Sequence, residues 1–133
     1  MGTKTEQRIK PTKVPEDVIS FSYRYLRKTE KFNYGCKDTI YFCKVIQRLK
    51  QISSYTPRQL KADRSRSLRF NAIDWDRKEI TEECFGLRRE DELVDQPYEF
   101  QISANKYGRI HGFFIGPVFY IVWFDPDHNL FSR

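Results

Sequence analysis

The chain has few of the residues on which most catalytic and metal sites depend. Its 133 residues include two histidines, three cysteines and one methionine. The cysteines, Cys36, Cys43 and Cys84, cannot all pair with one another, and their spacing matches no zinc module. We therefore expect free thiols, as is usual in a reducing cytoplasm, and no metal site.

The sequence also lacks the segments and motifs of several large protein classes. It has no apolar run long enough to span a bilayer, and its N-terminus is too polar for a secretory signal. A phosphate-binding loop, a dinucleotide-binding glycine motif and a GxSxG serine motif are all missing. These absences predict a cytoplasmic protein with no membrane partner, no cofactor and no serine nucleophile.

Positive charge, in contrast, is abundant in the first half of the chain. The net charge is +6; residues 1–70 hold 17 Lys and Arg against 6 Asp and Glu, whereas residues 71–133 hold 7 against 12. A strongly basic half is expected of a protein that binds a polyanion, because phosphate contacts release counterions and steer association. This predicts RNA or the ribosome as a partner, although an ordinary solvated basic surface would have the same composition.

The order of the predicted elements is that of a single α+β domain. Residues 1–16 are polar and contain two prolines, which predicts a flexible N-terminal arm. The domain at residues 17–133 is predicted to have the order β-α-α-β-β-β-β, with two helices packed on one face of a mostly antiparallel sheet. Residues 76–96 are predicted to be an acidic surface insertion with one helical turn near Thr81–Phe85.

The two helices have clear start signals. Asp38 is placed to cap a helix whose buried face is predicted from the i, i+3, i+4, i+7 spacing of Phe42, Val45, Ile46 and Leu49. Thr56-Pro57 and Gln59 form a capping-box pattern, which predicts a second helix ending near Ala62. Alternating apolar residues predict strands before and after these helices, over Ile19–Leu26 and within Asp63–Trp75.

The last quarter of the chain predicts an antiparallel meander. Its strands are expected at Tyr98–Ser103, Gly108–Ile115 and Val118–Phe124. A two-residue turn at Gly116-Pro117 would place a dry face under the helices, formed by Ile110, Gly112, Phe114, Phe119, Ile121 and Trp123. The opposite, open face would carry Gln101, Ser103, Arg109, His111 and Tyr120, with Phe124 toward its end. A three-residue turn would instead pair His111 with Ile121 and mix the two faces.

The open face and the basic segment together offer groups for cleaving RNA without a metal. Such a reaction needs a base, an acid and cations around the phosphate, and histidine suits both proton roles. The candidate catalytic residues are His128, His111, Arg109 and Tyr120. The candidate nucleic-acid-binding residues are Arg64, Arg66, Arg69, Lys61, Gln101 and Lys106. Each also has a purely structural interpretation, as a half-buried strand histidine, a turn residue, a core aromatic or a solvated charge.

The order of elements, the basic segment between helix and strand, and the closing stretch Gly108–Phe131 resemble the RelE/ParE toxin superfamily. The resemblance implies two helices on an antiparallel sheet and an antitoxin protein as partner. In the RelE-like branch it implies cleavage of mRNA in the ribosome, and in the ParE-like branch inhibition of gyrase. By position it points to Arg64, Arg66, Arg69, Arg109, Tyr120 and His128. The long N-terminal arm and the acidic insertion depart from the pattern.

Three functions therefore remain open. The first is a metal-independent, toxin-like endoribonuclease that acts on mRNA at the ribosome and is neutralised by an antitoxin. The second is a non-catalytic nucleic-acid-binding or interaction protein of a mobile-element or defence locus. The third is a ParE-like gyrase inhibitor, which would act by protein contact and need no histidine.

Overall fold

The computed structural model describes residues 17–104 and 106–132, so the predicted arm at residues 1–16 lies outside the described part. Within it, the chain forms five strands and three helices. The strands are β1 (Ser20–Ser22), β2 (Asn71–Ala72), β3 (Pro97–Ser103), β4 (Lys106–Ile115) and β5 (Val118–Asp125). The helices are α1 (Thr39–Ile52), α2 (Pro57–Ala62) and α3 (Glu90–Leu93).

The strands form one mixed sheet in the order β1-β5-β4-β3-β2. The first strand, β1, runs parallel to β5, and the other neighbouring pairs are antiparallel. This confirms the predicted α+β class. The helical turn expected near Thr81–Phe85 is wrong: the third helix, α3, lies further along the chain at Glu90–Leu93.

The start signals of α1 and α2 are confirmed. The Asp38 carboxylate accepts a hydrogen bond from the Tyr41 backbone N–H at 3.1 Å. Thr56 and Gln59 exchange the two bonds of a capping box, each at 3.0 Å, and α2 ends at Ala62. Side chains that satisfy the free N–H groups of a first turn act locally, which is why the sequence alone predicts them.

One face of the sheet is covered by α1 and α2. We call the residues buried there the first cluster; they include Tyr41, Val45, Leu49, Ile52, Leu60, Phe100, Ile110, Phe119, Ile121 and Phe124. The predicted buried face of α1 is only partly correct, because Phe42 and Ile46 are 37% and 65% exposed. The sequence contains two overlapping apolar stripes that share Val45 and Leu49, and the stripe that also contains Tyr41 and Ile52 is the one that packs.

The other face of the sheet is also covered, by connecting segments rather than by helices. We call this the second cluster: Phe32, Ile73, Ile80, Phe85, Phe113, Val122, Trp123 and Leu130, with Trp75, Leu87 and Tyr120 partly buried against it. The expectation of an open polar face is therefore wrong. So is the expectation that residues 76–96 are only a surface insertion, because Ile80 and Phe85 turn inward from that acidic segment.

The β4–β5 hairpin has the predicted register near its turn and a different one further away. Ile115 pairs with Val118 and Phe113 with Tyr120, the pairs that the expected two-residue turn requires. A bulge then shifts the register so that His111 pairs with Trp123 rather than Val122. As a result Val122 and Trp123 both join the second cluster, and Phe124 moves under the helices. The predicted faces of Trp123 and Phe124 are wrong for this reason.

The turn itself is a two-residue connection of the type that matches strand twist. Gly116 has a φ of 57°, and the proline ring fixes a negative φ at Pro117. Positive φ at the first position followed by negative φ at the second defines a type II′ turn, in which glycine is favoured first. Proline is disfavoured at the second central position of a type I turn, but the type II′ turn accommodates it at Pro117.

The two other predicted strands are shorter than the alternation suggests. The strand expected over Ile19–Leu26 is limited to β1, since the chain turns where the Leu26 N–H bonds to the Tyr23 carbonyl at 3.1 Å. The strand expected within Asp63–Trp75 is limited to β2. Leu68 and Phe70 are buried before β2 begins, in a segment without strand pairing.

Candidate nucleic-acid interface

The structure brings three of the predicted nucleic-acid-binding residues together. Arg64, Arg66 and Arg69 lie on residues 64–69, between α2 and β2, and all three are exposed. We call this segment the arginine loop. Together with Asp63, Phe70 and Asn71 they line a groove of about 360 Å³. Guanidinium groups gathered in this way form a surface suited to phosphate oxygens.

The loop has defined internal geometry. The Asp63 carboxylate accepts from the Ser65 N–H at 2.8 Å, and the Arg69 N–H donates to the Ser65 carbonyl at 3.0 Å. Arg69 adopts a φ of 44°, a left-handed backbone conformation that is uncommon for a residue other than glycine. Leu68, buried next to it, anchors the loop in the first cluster.

Gln101 on β3 supports this loop from beneath. Its side-chain Nε2 donates to the Arg66 carbonyl at 2.6 Å and to the Ser67 carbonyl at 3.1 Å, and the residue is only 2% exposed. The predicted contact of Gln101 with nucleic acid is therefore wrong. Its side-chain N–H groups already donate to main-chain carbonyls of the arginine loop, so its role is to position that loop.

Arg48 on α1 makes a second support, which sequence reasoning missed. Its Nη2 donates to the Ser67 carbonyl at 2.7 Å and its Nε to the Ile102 carbonyl at 3.0 Å. Burial lowers the pKa of Arg48. The sequence did contain a signal for burial of Arg48. This residue lies on the same side of α1 as Val45, Leu49 and Ile52, which are all buried.

The two lysine candidates lie in different places. Lys61 lies in the last turn of α2, and its Nζ lies 5.6 Å and 5.2 Å from the ring centres of Tyr98 and Phe114. These are distances of a cation–π contact. Lys106 instead lines a separate groove with Lys37 and Tyr41 at the start of α1. Lys61 is therefore next to the arginine loop along the chain, and its carbonyl accepts from Arg64 Nη1 at 2.8 Å, but neither lysine lines the groove of that loop.

His111 is not placed for catalysis on a substrate. Its side chain is 0% exposed, within the second cluster, and its Nε2 lies 3.3 Å from Oδ2 of Asp125. Phe32 and Trp123 lie against the ring, with centres 6.2 Å and 6.0 Å away. A proton-transfer group must reach the reacting atoms, so the predicted catalytic role of this histidine is wrong.

Asp125 ends β5 and is bonded on several sides. Its carboxylate accepts from the backbone N–H groups of Asn129 at 2.7 Å and Leu130 at 2.9 Å, besides contacting His111. Burial of the carboxylate acts to raise its pKa, but the His111 bond and charge and these two N–H groups outweigh it and hold the pKa below its ordinary value. The pair therefore joins β4, β5 and the segment after β5.

Arg109 and Tyr120, the other catalytic candidates, also have structural partners. Arg109 Nη1 donates to the Glu99 carboxylate at 3.1 Å. Tyr120 stacks on Phe113 with ring centres 5.4 Å apart and planes 14° apart, at the edge of the second cluster. Neither residue lies among those that line the groove of the arginine loop.

His128 lies in the turn after β5. It is half-buried, has a φ of 57°, and its backbone N–H donates to the Asp125 carbonyl at 3.4 Å. The arginine loop, by contrast, follows α2. The backbone of His128 therefore contacts Asp125, which also contacts His111 and pairs with Arg109 across β4 and β5, whereas the arginine loop belongs to another part of the chain.

Across residues 17–104 and 106–132, no group of three or more His, Cys, Asp and Glu side chains is arranged to hold a metal ion. In the same part of the chain, no helix combines the length and the apolar character required to span a bilayer. No family model, no curated protein and no solved structure matches this chain.

Proposed function

We propose that this is a cytoplasmic nucleic-acid-binding protein that binds the phosphate backbone of RNA through its arginine loop. The observation that carries the proposal is the groove where Arg64, Arg66 and Arg69 meet. Gln101 and Arg48 hold the main chain of the loop from below. A pre-shaped cationic groove loses less conformational entropy on binding than flexible side chains would.

The geometry supports binding more directly than it supports catalysis. Three guanidinium groups provide charge and hydrogen-bond donors for phosphate, but a nuclease also needs groups that accept and donate protons at the ribose. His111 is enclosed by the second cluster and paired with Asp125. Binding through the loop needs neither histidine.

The test is RNA binding by a triple variant, Arg64→Gln/Arg66→Gln/Arg69→Gln. A second triple, Arg24→Gln/Arg88→Gln/Arg89→Gln, is the control, because it removes the same charge from exposed arginines outside the groove. Affinity for a fluorescent single-stranded RNA is measured by anisotropy over a salt series. We expect the loop variant to bind at least about tenfold more weakly, and its salt slope to fall by about 0.7 for each phosphate that it no longer neutralises. Equally weakened binding by the two triples would show that RNA binding is not centred on this loop.

A second proposal is a toxin-like endoribonuclease, held inactive by an antitoxin, and its support is the resemblance to the RelE/ParE superfamily together with His128. The left-handed φ of this non-glycine residue is the kind of backbone strain that often accompanies functional positions. Growth and mRNA integrity in cells expressing the wild type and His128→Gln test it. mRNA cleavage by the wild type that is lost in His128→Gln supports the nuclease. Slowed growth with intact mRNA, together with inhibited DNA supercoiling in an assay with gyrase, supports gyrase inhibition instead. Unaltered growth and intact mRNA in cells expressing the wild type would rule out this proposal.

A further inference from the structure

A second cavity lies directly beside the arginine loop, at the β2 edge of the sheet. It has a volume of about 370 Å³, and its walls include Asp74, Arg77, Glu99, Arg109 and Phe131. Asn71 lines both this cavity and the groove of the arginine loop. A ligand with two chemically different parts could therefore occupy both at once.

The two spaces differ in charge. Three arginines and one aspartate line the groove, which leaves it cationic. In the cavity, the two arginines are balanced by two carboxylates, Asp74 and Glu99. A cationic groove favours phosphate, whereas a balanced cavity with donors and acceptors on its walls favours a polar group without net charge. A nucleotide has both parts, in its phosphate and its base.

Arg109, in the wall of this cavity, has a hydrogen-bond donor that is not used within the protein. One of its nitrogens, Nη1, donates to Glu99 Oε1 at 3.1 Å. Its Nε is buried and has no hydrogen-bond partner among residues 17–104 and 106–132. A buried donor without a partner is unfavourable, and the Arg109 side chain is 16% exposed, so a small shift of this side chain that brings Nε to an acceptor in the cavity would be stabilising. Glu99 retains acceptor capacity, because a carboxylate has about four lone-pair sites.

Phe131 supplies an apolar ring at the same place. The guanidinium carbons of Arg77 and Arg109 each lie 5.9 Å from the centre of this ring. Unpaired bases in RNA are commonly held by stacking on aromatic or guanidinium planes and by hydrogen bonds along their edges. The cavity therefore combines a stacking surface with an adjacent donor and acceptor.

We propose that this cavity binds a guanine base of single-stranded RNA whose phosphate lies in the arginine loop. Guanine presents O6 and N7 to arginine, the pairing found most often in specific recognition. Its N1–H and amino group lie on the adjacent edge of the base and would donate to the Glu99 carboxylate. Adenine, cytosine and uracil do not offer this combination of acceptors and donors. The inference rests on the proposed function, and it adds base preference to phosphate binding.

The test compares RNA dodecamers that differ at one central position. One is all uridine, and the others carry a central guanosine, inosine, which lacks the amino group, or 7-deazaguanosine, which lacks N7. We expect the wild type to bind the guanosine strand about tenfold more tightly than the uridine strand, with both analogues in between. These measurements need no variant, so they do not depend on the folding of a mutant.

Glu99→Gln and Arg109→Lys are expected to bind every strand with the affinity that the wild type has for the uridine strand. Glu92→Gln, an exposed change outside the cavity, should keep the preference. Equal binding of all strands by the wild type, or a preference that persists in folded Glu99→Gln and Arg109→Lys, overturns the guanine site while phosphate binding stands. A wild type that binds none of the strands overturns both proposals.

Discussion

The imidazole of His111 and the carboxylate of Asp125 form the most enclosed polar contact that we describe, with side chains 0% and 1% exposed. Two backbone N–H groups after β5 converge on the same carboxylate. Buried pairs of this kind depend on every partner, because removing one leaves the other without compensation for its lost hydration. We therefore assign His111 to the structure of the protein rather than to chemistry on a substrate.

Asp125→Asn is expected to lower the free energy of unfolding by about 3–5 kcal/mol near neutral pH, as expected when one partner of a buried pair is removed. Because the pKa of Asp125 in the folded state lies below its ordinary value of 3.8, this stabilisation is fully present above pH 3.8. It is lost as the pH falls through the lower, folded-state value. Urea unfolding of the wild type and of Asp125→Asn, from neutral pH into this acid range, measures the difference between their free energies of unfolding. This difference should become smaller as the pH falls.

The matched control for this change is Asp127→Asn. Asp127 is exposed and forms a surface ion pair with Lys37 at 3.4 Å, so its removal is expected to cost no more than about 1 kcal/mol. Equal effects of the two substitutions at neutral pH would mean that the buried pair does not stabilise the fold.

At the scale of elements, the sequence was informative where the governing interactions are local. The Asp38 cap, the Thr56–Gln59 capping box and the Gly116-Pro117 turn each depend on residues within a few positions of one another. The sequence was uninformative where two arrangements of apolar side chains on the sheet are almost equivalent. Val122, Trp123 and Phe124 are all apolar, so nothing in their order reveals the bulge that separates them onto different faces.

The acidic segment before β3 shows the same limit. Its charge predicted a solvated surface, but Phe85 is buried, and its main chain is held by specific bonds. The Glu90 carboxylate on α3 accepts from the Phe85 N–H at 2.9 Å, and Arg27 Nη1 donates to the Phe85 carbonyl at 2.7 Å. A few apolar residues among acidic ones, Ile80 and Phe85 above all, hold this segment against the sheet, and averaged composition does not detect them.

Phe85→Ala should therefore destabilise the protein by about 3–5 kcal/mol, the range for removing a buried aromatic side chain. Cys84→Ala, at the neighbouring exposed position, should change the free energy of unfolding by less than about 0.5 kcal/mol. Chemical denaturation of both variants provides the comparison. If the two were equally stable, the packing of this segment on the sheet would be disproved.

At the scale of the whole molecule, one sheet separates two apolar clusters. The first cluster lies under the helices, and the second lies under the connecting segments. The candidate site depends on how the elements of the first cluster pack together. Exposed arginines were recognisable from charge alone, but their supports were not. Gln101 and Arg48 become supports only when β3 and α1 are brought beneath the arginine loop.

Because both clusters share the strands β3–β5, we expect them to unfold together. Trp75 and Trp123 are the two tryptophans of the chain, and both lie in the second cluster, whereas the two longer helices pack on the first. Tryptophan fluorescence and far-ultraviolet circular dichroism therefore report on opposite sides of the sheet. Their urea transitions should coincide, as two-state unfolding requires. Separate midpoints would instead show two units of independent stability.

The parallel pairing of β1 with β5 has a consequence for biosynthesis. Ser20 of β1 pairs with Val118 of β5, so β1 is synthesised before β2, β3 and β4, but its partner leaves the ribosome only after them. Contacts between such distant segments form slowly, since the intervening chain must first be closed into a large loop. This sheet is therefore completed only after β5 has emerged, and a nascent chain stalled before that point would expose the apolar side chains that both clusters normally cover.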